Sequence, residues 1–143
     1  MSSNRSGDVS KQPWTAAFVQ KSAEAFGAAF APDVVLEATA LNAPIIGRDL
    51  VKATMGSASK MYEYVMFVGE AVNATQRYLE WQAKTFSGIF LAGVTVLTLN
   101  GEGEISGIAI HHRPLSGMLR FSSELGDRLE GVVDRDHFHR AAQ

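Results

Sequence analysis

The strongest constraint on the fold is a run of four β-like stretches in the second half of the chain, separated only by short turns. Asn100-Gly101 is a strong signal for a two-residue hairpin turn, and Ser87-Gly88 is a second candidate. Because such turns join neighbouring antiparallel strands, the stretches predict an antiparallel meander. The stretches span 64–72, 76–86, 89–99 and 104–112.

The pattern on either side of the meander is helical. Apolar residues spaced by three and four positions run from Trp14 to Phe30, and Pro32 ends this pattern. The pattern is compatible with one helix or with two short helices. A strand is predicted over 34–40, a second helix over 48–60 and a last helix after Pro114. This order predicts an α+β fold in which a curled sheet covers helices.

Composition limits the chemistry of the protein. The chain has 143 residues, no cysteine and a net charge of −2, which predict one domain without disulfides or thiolate chemistry. No basic run or long apolar segment is present, so neither nucleic acid nor a membrane is expected as a partner, and a cytoplasmic location is predicted. No nucleotide or hydrolase motif is found, so no cofactor is predicted. The expected parts are a disordered tail over 1–12, one domain over 13–132 and a flexible tail over 133–143.

Several local phrases resemble, in the same order, the nuclear-transport-factor-2-like superfamily, which includes SnoaL-like and ketosteroid-isomerase-like proteins. The resemblance implies a cone-shaped α+β barrel, in which a curved antiparallel sheet wraps around N-terminal helices, here with an extra C-terminal helix. It also implies a small-molecule pocket and a homodimer formed through the sheet face, but no single activity. The phrases are Phe30-Ala31-Pro32-Asp33-Val34, Ile46-Gly47-Arg48, Leu79-Glu80-Trp81, Leu91-Ala92-Gly93-Val94, Asn100-Gly101-Glu102-Gly103-Glu104-Ile105 and Arg113-Pro114-Leu115.

The same resemblance argues against the usual ketosteroid isomerase mechanism. That mechanism uses an aspartate base with a tyrosine and a protonated aspartate as the oxyanion hole. Alignment of the phrases places Ala38 at the position of the base and Thr95 at that of the protonated acid. Trp14 falls near the tyrosine position, and its indole N–H donates a hydrogen bond without comparable acidity.

His112 is the first candidate for acid–base chemistry. Alternation along the last stretch places Ile108, Ile110 and His112 on one face, which we interpret as the inward face, and His111 on the other. Imidazole titrates near neutral pH, so His112 is a candidate general base. The alternative is a strand-end histidine that is solvated or bonded to the backbone.

Glu80 and Tyr64 are further catalytic candidates. A tight turn at Ser87-Gly88 pairs Glu80 with Thr95 and so places both on one face, whereas a slip of one residue puts Trp81 inside and Glu80 in solvent. A tyrosine hydroxyl, from Tyr64 or the nearby Tyr62, is suited to stabilise an oxyanion. An aromatic residue at such a helix-to-strand junction is otherwise typical of a core.

The predicted function is that of a small-molecule-pocket protein for a small apolar or aromatic compound. As an enzyme it would transfer a proton in an isomerase, cyclase, dehydratase or hydrolase reaction; the alternative is a non-catalytic ligand-binding or dimeric assembly module. The histidines and aspartates over 134–139 are expected to be solvated rather than to bind metal. The residues predicted to line the pocket are Trp14, Phe18, Leu36, Ala38, Thr95, Leu97, Ile108 and Ile110.

Overall fold

The structure is a computed structural model that describes residues 12–141. The tail predicted over 1–12 therefore lies, except for Gln12, outside the described residues. The helices are α1 (Pro13–Gln20), α2 (Ala23–Ala29), α3 (Arg48–Met61) and α4 (Leu115–Arg128). The strands are β1 (Phe30–Ala38), β2 (Ile45–Ile46), β3 (Tyr62–Asn73), β4 (Gln76–Thr85), β5 (Phe90–Leu99) and β6 (Ile105–Arg113).

The N-terminal helical region consists of two short helices, one of the two arrangements that the pattern left open. Lys21 ends α1 in the left-handed region with φ of 52°. Ser22 then begins α2 as its N-cap, because the Ala25 N–H donates to the Ser22 hydroxyl at 3.2 Å. The chain leaves α2 directly into β1 at Phe30, four residues before the predicted start of that strand.

The six strands form one curved sheet in the order β2-β1-β6-β5-β4-β3. The predicted meander is confirmed, because β3 to β6 pair antiparallel with their neighbours. The sheet as a whole is mixed rather than antiparallel, since β1 lies parallel to β6. Parallel neighbours need a long crossover connection, and α3 with the first three meander strands supplies it. The sheet is not closed into a barrel, because β2 and β3 form its two edges.

The core lies between the concave face of the sheet and the helices. Alternate residues of β4 and β5 point into it, so Leu79 and Leu97 are fully buried. The Trp14 ring packs edge-on against those of Phe18 and Phe26, at centroid distances of 5.4 and 5.3 Å. No helix within residues 12–141 combines the length and the apolar character that crossing a membrane requires.

Residues 133–141 pack on the domain, in contrast to the flexible tail expected from the sequence. Phe138 is 2% exposed and forms a β-bridge with Leu41. The His139 N–H donates to the Ser122 hydroxyl at 2.9 Å, and that hydroxyl donates to the Ala40 carbonyl at 2.6 Å. An apolar anchor and backbone hydrogen bonds therefore hold this segment. The domain bounds at 13 and 132 stay a prediction.

Replacement of the Phe138 anchor tests this packing. We expect Phe138→Ala to lower the free energy of unfolding by about 3–5 kcal/mol, because it removes a buried ring and leaves a cavity. Urea unfolding of Phe86→Ala is the matched control: the Phe86 ring is 66% exposed, so less than about 1 kcal/mol should be lost. Equal losses in the two variants would contradict the packing of residues 133–141.

Candidate functional site

The floor of the site is a row of three residues on adjacent strands. Trp81 pairs with Gly93, and Gly93 pairs with His112. A Cβ on Gly93 would lie 2.0 Å from the His111 carbonyl oxygen and 2.8 Å from a carbon of the Trp81 ring. Because glycine lacks this atom, the rings of Trp81 and His112 meet edge to face, with centroids 5.6 Å apart and planes at 78°.

An apolar cavity lies above this row, between the sheet and helices α1, α3 and α4. Its volume is about 40 Å³. A cavity of this size holds a few water molecules or a small apolar group. Five of the residues predicted to line a pocket are on its wall, as is His112: Phe18, Leu36, Ala38, Thr95 and Ile110.

The other three predicted pocket residues, Trp14, Leu97 and Ile108, lie in the core away from the cavity. Trp14 is surrounded by the rings of Phe18, Phe26 and Phe30, and its indole N–H has no hydrogen-bond partner among residues 12–141. Leu97 pairs with Ile108 one inward position closer to the β5–β6 turn than the pair of Thr95 with Ile110. The inward face of these strands is therefore longer than the cavity.

The hydrogen bonds of Thr39 assign the tautomer of His112. The Thr39 hydroxyl donates to the Ile110 carbonyl at 3.1 Å and accepts from the His112 backbone N–H at 2.7 Å. His112 Nδ1 lies 3.3 Å from the same oxygen. Since the single hydroxyl proton is already used, Nδ1 carries the proton and donates it to Thr39. The other ring nitrogen, Nε2, is then an acceptor, and no described residue bonds to it.

The surroundings of His112 keep its ring neutral. The half-buried imidazole lies between Trp81 and Phe121, each with a ring centroid 5.6 Å away. Burial lowers the pKa of His112 to about 4, and the positive charge of a protonated His111 adds to this decrease. At neutral pH the site therefore presents an uncharged hydrogen-bond acceptor.

Tyr62, not Tyr64, is the tyrosine on the cavity wall. Tyr62 begins β3, is 5% exposed and stacks on Phe121 with centroids 5.4 Å apart. Burial raises the pKa of Tyr62 well above its usual value, so the phenol stays protonated. Within residues 12–141 its hydroxyl makes no hydrogen bond, which leaves it as a donor. Tyr64 is 40% exposed and lies outside the cavity, which corrects its predicted catalytic place.

Glu80 lies on the opposite face of the sheet from the cavity. It is exposed and pairs with Val94, whereas Trp81 points inward and its indole N–H donates to the Thr95 hydroxyl at 3.0 Å. The pairing of β4 with β5 differs by one residue from the predicted pairing, because the turn between these strands contains three residues and not two. The turn is closed by the Thr85 N–H, which donates to the Ile89 carbonyl at 2.9 Å. The prediction that Glu80 faces the pocket is wrong, and the one-residue slip is observed.

The comparisons with known proteins found matches in structure but none in sequence. No protein-family model matches the chain, and no curated protein matches it significantly. An uncharacterised bacterial protein with a cystatin-like fold from Silicibacter pomeroyi DSS-3 superposes with a TM-score of 0.75 and 21% identity, over 80% of this chain and 81% of its own. A steroid delta-isomerase from Pseudomonas aeruginosa has a TM-score of 0.75 and 20% identity, over 82% and 87%.

A third structure shows the same fold with a small ligand. A hypothetical protein with a ketosteroid-isomerase-like fold from Catenulispora acidiphila, in complex with trimethylamine, has a TM-score of 0.62 and 22% identity, over 77% of this chain and 88% of its own. Further matches are SnoaL-like and NTF2-like proteins. The chain therefore has the cystatin-like α+β fold of NTF2-like proteins, as the resemblance implied. At these identities the likeness shows the fold alone.

The lowered pKa of His112 predicts a specific pH dependence of stability. Between about 4, the folded pKa, and about 6.5, the unfolded one, the unfolded state binds more protons. The free energy of unfolding should therefore fall as the pH drops through this window, by an amount on the order of 2–3 kcal/mol. This component should be missing in His112→Gln and only partly reduced in His111→Gln, because burial is the larger cause of the shift, measured by urea unfolding across the window. An imidazole ¹⁵N titration of His112 with a midpoint near 6.5 would refute it.

Proposed function

We propose that the protein binds a small apolar or aromatic molecule that carries one hydrogen-bonding group. The observation that carries this proposal is the neutral His112 ring on the wall of an apolar cavity, with an Nε2 atom that no residue in 12–141 bonds. A ligand hydroxyl or N–H can donate to this acceptor, and a hydrogen bond formed in apolar surroundings is stronger than one formed in water. The Catenulispora protein, with its trimethylamine, supports the proposal that this fold holds small ligands.

Binding fits the site better than removal of a proton from carbon. A base is most effective when its pKa lies near the working pH, and burial lowers the pKa of His112 to about 4. None of the side chains on the cavity wall is a carboxylate. The ring of His112 is therefore suited to hold a polar group in place.

Proton transfer is the second candidate, because His112 and Tyr62 line the same cavity as acceptor and donor. In such a reaction Nε2 takes a proton from a carbon next to a carbonyl, while the Tyr62 hydroxyl hydrogen-bonds to the carbonyl oxygen. When the substrate is a β,γ-unsaturated carbonyl compound, the protonated imidazole then returns the proton to the γ-carbon of the resulting dienolate, which completes an isomerisation. This candidate requires His112 and Tyr62 together, whereas binding requires only His112.

Titration with butan-1-ol tests the binding proposal. The alcohol should move the imidazole ¹⁵N resonance of His112 as Nε2 accepts its O–H. His112→Leu keeps apolar volume but removes the acceptor, so we expect about five- to tenfold weaker binding, measured by NMR titration. The matched control is His111→Leu, because His111 is exposed on the outer face and its loss should leave binding unchanged.

One result would contradict the role of His112 in binding, and another would favour proton transfer over binding alone. Equal binding of butan-1-ol to wild type and His112→Leu would remove His112 from the ligand contact. Exchange of the hydrogens of butan-2-one for deuterium in D₂O, catalysed by wild type but not by His112→Leu or Tyr62→Phe, would favour proton transfer over binding alone.

We also propose a cytoplasmic homodimer that pairs through the outer face of the sheet. Val94, Val96 and Ala109 lie on this face, half-buried, and Met66 is 49% exposed there. Small apolar residues in adjacent strands allow two sheets to approach closely. Val94→Asp should convert the dimer to a monomer in sedimentation equilibrium, because it buries two carboxylates at the interface. A wild-type protein that stays monomeric at all concentrations would contradict the dimer.

A further inference from the structure

The cavity and a groove on the surface are adjacent and share part of their lining. Phe18, Tyr62, Val65 and Phe67 line the cavity on one side and a groove between α1 and the start of β3 on the other. The volume of the groove is about 530 Å³, many times that of the cavity. A molecule longer than the cavity therefore has space for its remaining part in the groove, against the residues that the two spaces share.

The backbone of β3 is irregular on both sides of this wall. Its pairing with β4 shifts register between Tyr62 and Tyr64 and again between Phe67 and Gly69. Register shifts of this kind change the direction of neighbouring side chains and are common beside binding sites. Val65 and Phe67, two of the four residues that line both the cavity and the groove, lie between the two shifts.

Lys21 gives the groove a positive charge. Its ammonium group donates to the Tyr62 carbonyl at 2.7 Å and lies 4.9 Å from the centre of the Phe86 ring. A lysine ammonium has three N–H bonds, so two remain for a ligand. Lys21 also has a positive φ, which is uncommon for a residue other than glycine. No carboxylate of residues 12–141 forms an ion pair with it.

The single carboxylate that lines the groove does not cancel this charge. Glu63 is paired with Lys84, at 3.5 Å between Oε1 and Nζ. The remaining groove residues are uncharged. The groove therefore presents one uncompensated cation beside an apolar wall, and this combination favours an anion with an apolar body.

We propose that the ligand is an apolar carboxylate whose hydrocarbon part enters the cavity and whose anionic group binds Lys21 in the groove. This inference rests on the proposed function, because it assumes that the cavity takes the apolar part. It adds the charge of the ligand, and it assigns Lys21 as the residue that selects an anion over a neutral molecule of equal shape.

Hexanoate and hexanamide form a matched pair of probes that differ in charge. We expect wild type to bind hexanoate about tenfold more tightly than hexanamide in NMR titrations at low ionic strength, since only hexanoate forms an ion pair with Lys21. Added salt should reduce this preference. Butan-1-ol should displace both probes, because all three share the cavity.

Variants of Lys21 assign the preference to one side chain. Lys21→Gln should abolish it by weakening the binding of hexanoate, whereas hexanamide should still bind through its apolar part and the glutamine amide, which also shows that the site remains folded. Lys21→Arg should keep it, because the guanidinium retains the charge. The control for the loss of one positive charge is Lys60→Gln, since Lys60 is exposed on α3 and outside the groove. That variant should bind hexanoate as wild type does.

The outcomes separate this inference from the proposed function. Equal affinities of wild type for hexanoate and hexanamide, with displacement by butan-1-ol, would overturn the role of Lys21 and leave the cavity as a binding site. A preference that persists in Lys21→Gln would also overturn it. Failure of wild type to bind any of the three probes would overturn both proposals.

Discussion

The rings of Trp81 and His112 meet across β5 because Gly93, between them, has no side chain. The two rings in contact form the surface of the inward face at the centre of the sheet. The indole N–H of Trp81 is bonded to Thr95, and Thr39 holds the backbone and ring of His112. A shift of one residue in either strand pair would turn one of these rings to the outer face. The register of the sheet and the chemistry of the cavity therefore depend on the same row of residues.

The cavity combines apolar walls with two neutral polar groups. His112 is uncharged because burial disfavours its imidazolium form, and Tyr62 keeps its proton for the corresponding reason. Hydrogen bonds in such surroundings are stronger than in water, and an unpaired acceptor is correspondingly costly. The positive charge proposed to select an anion lies outside the cavity, on Lys21 in the groove. Lys21 is only half-buried there, so the free-energy cost of removing water from its ammonium group is smaller than inside the cavity.

Much of the fold follows from periodicity in the sequence. The change from helical spacing to long β-like stretches predicted the meander, and apolar faces at three- and four-residue spacing predicted α3 and α4. The parallel pairing of β1 with β6 joins segments about 70 residues apart and has no local signal. The site was less predictable, because one extra residue in the turn at Ser87 reverses which of Glu80 and Trp81 points inward. Periodicity likewise predicted an inward Ile108 but not where the cavity ends.

The central claim is that an apolar cavity with His112 on its wall is accessible to small molecules. Diffraction from a crystal pressurised with xenon tests it most directly, because xenon occupies apolar cavities without the need for a specific chemical group. The account predicts an anomalous peak between the rings of Phe18, Trp81 and Phe121, in contact with the His112 ring. Xenon bound elsewhere in the crystal, with none between these rings, would contradict the account.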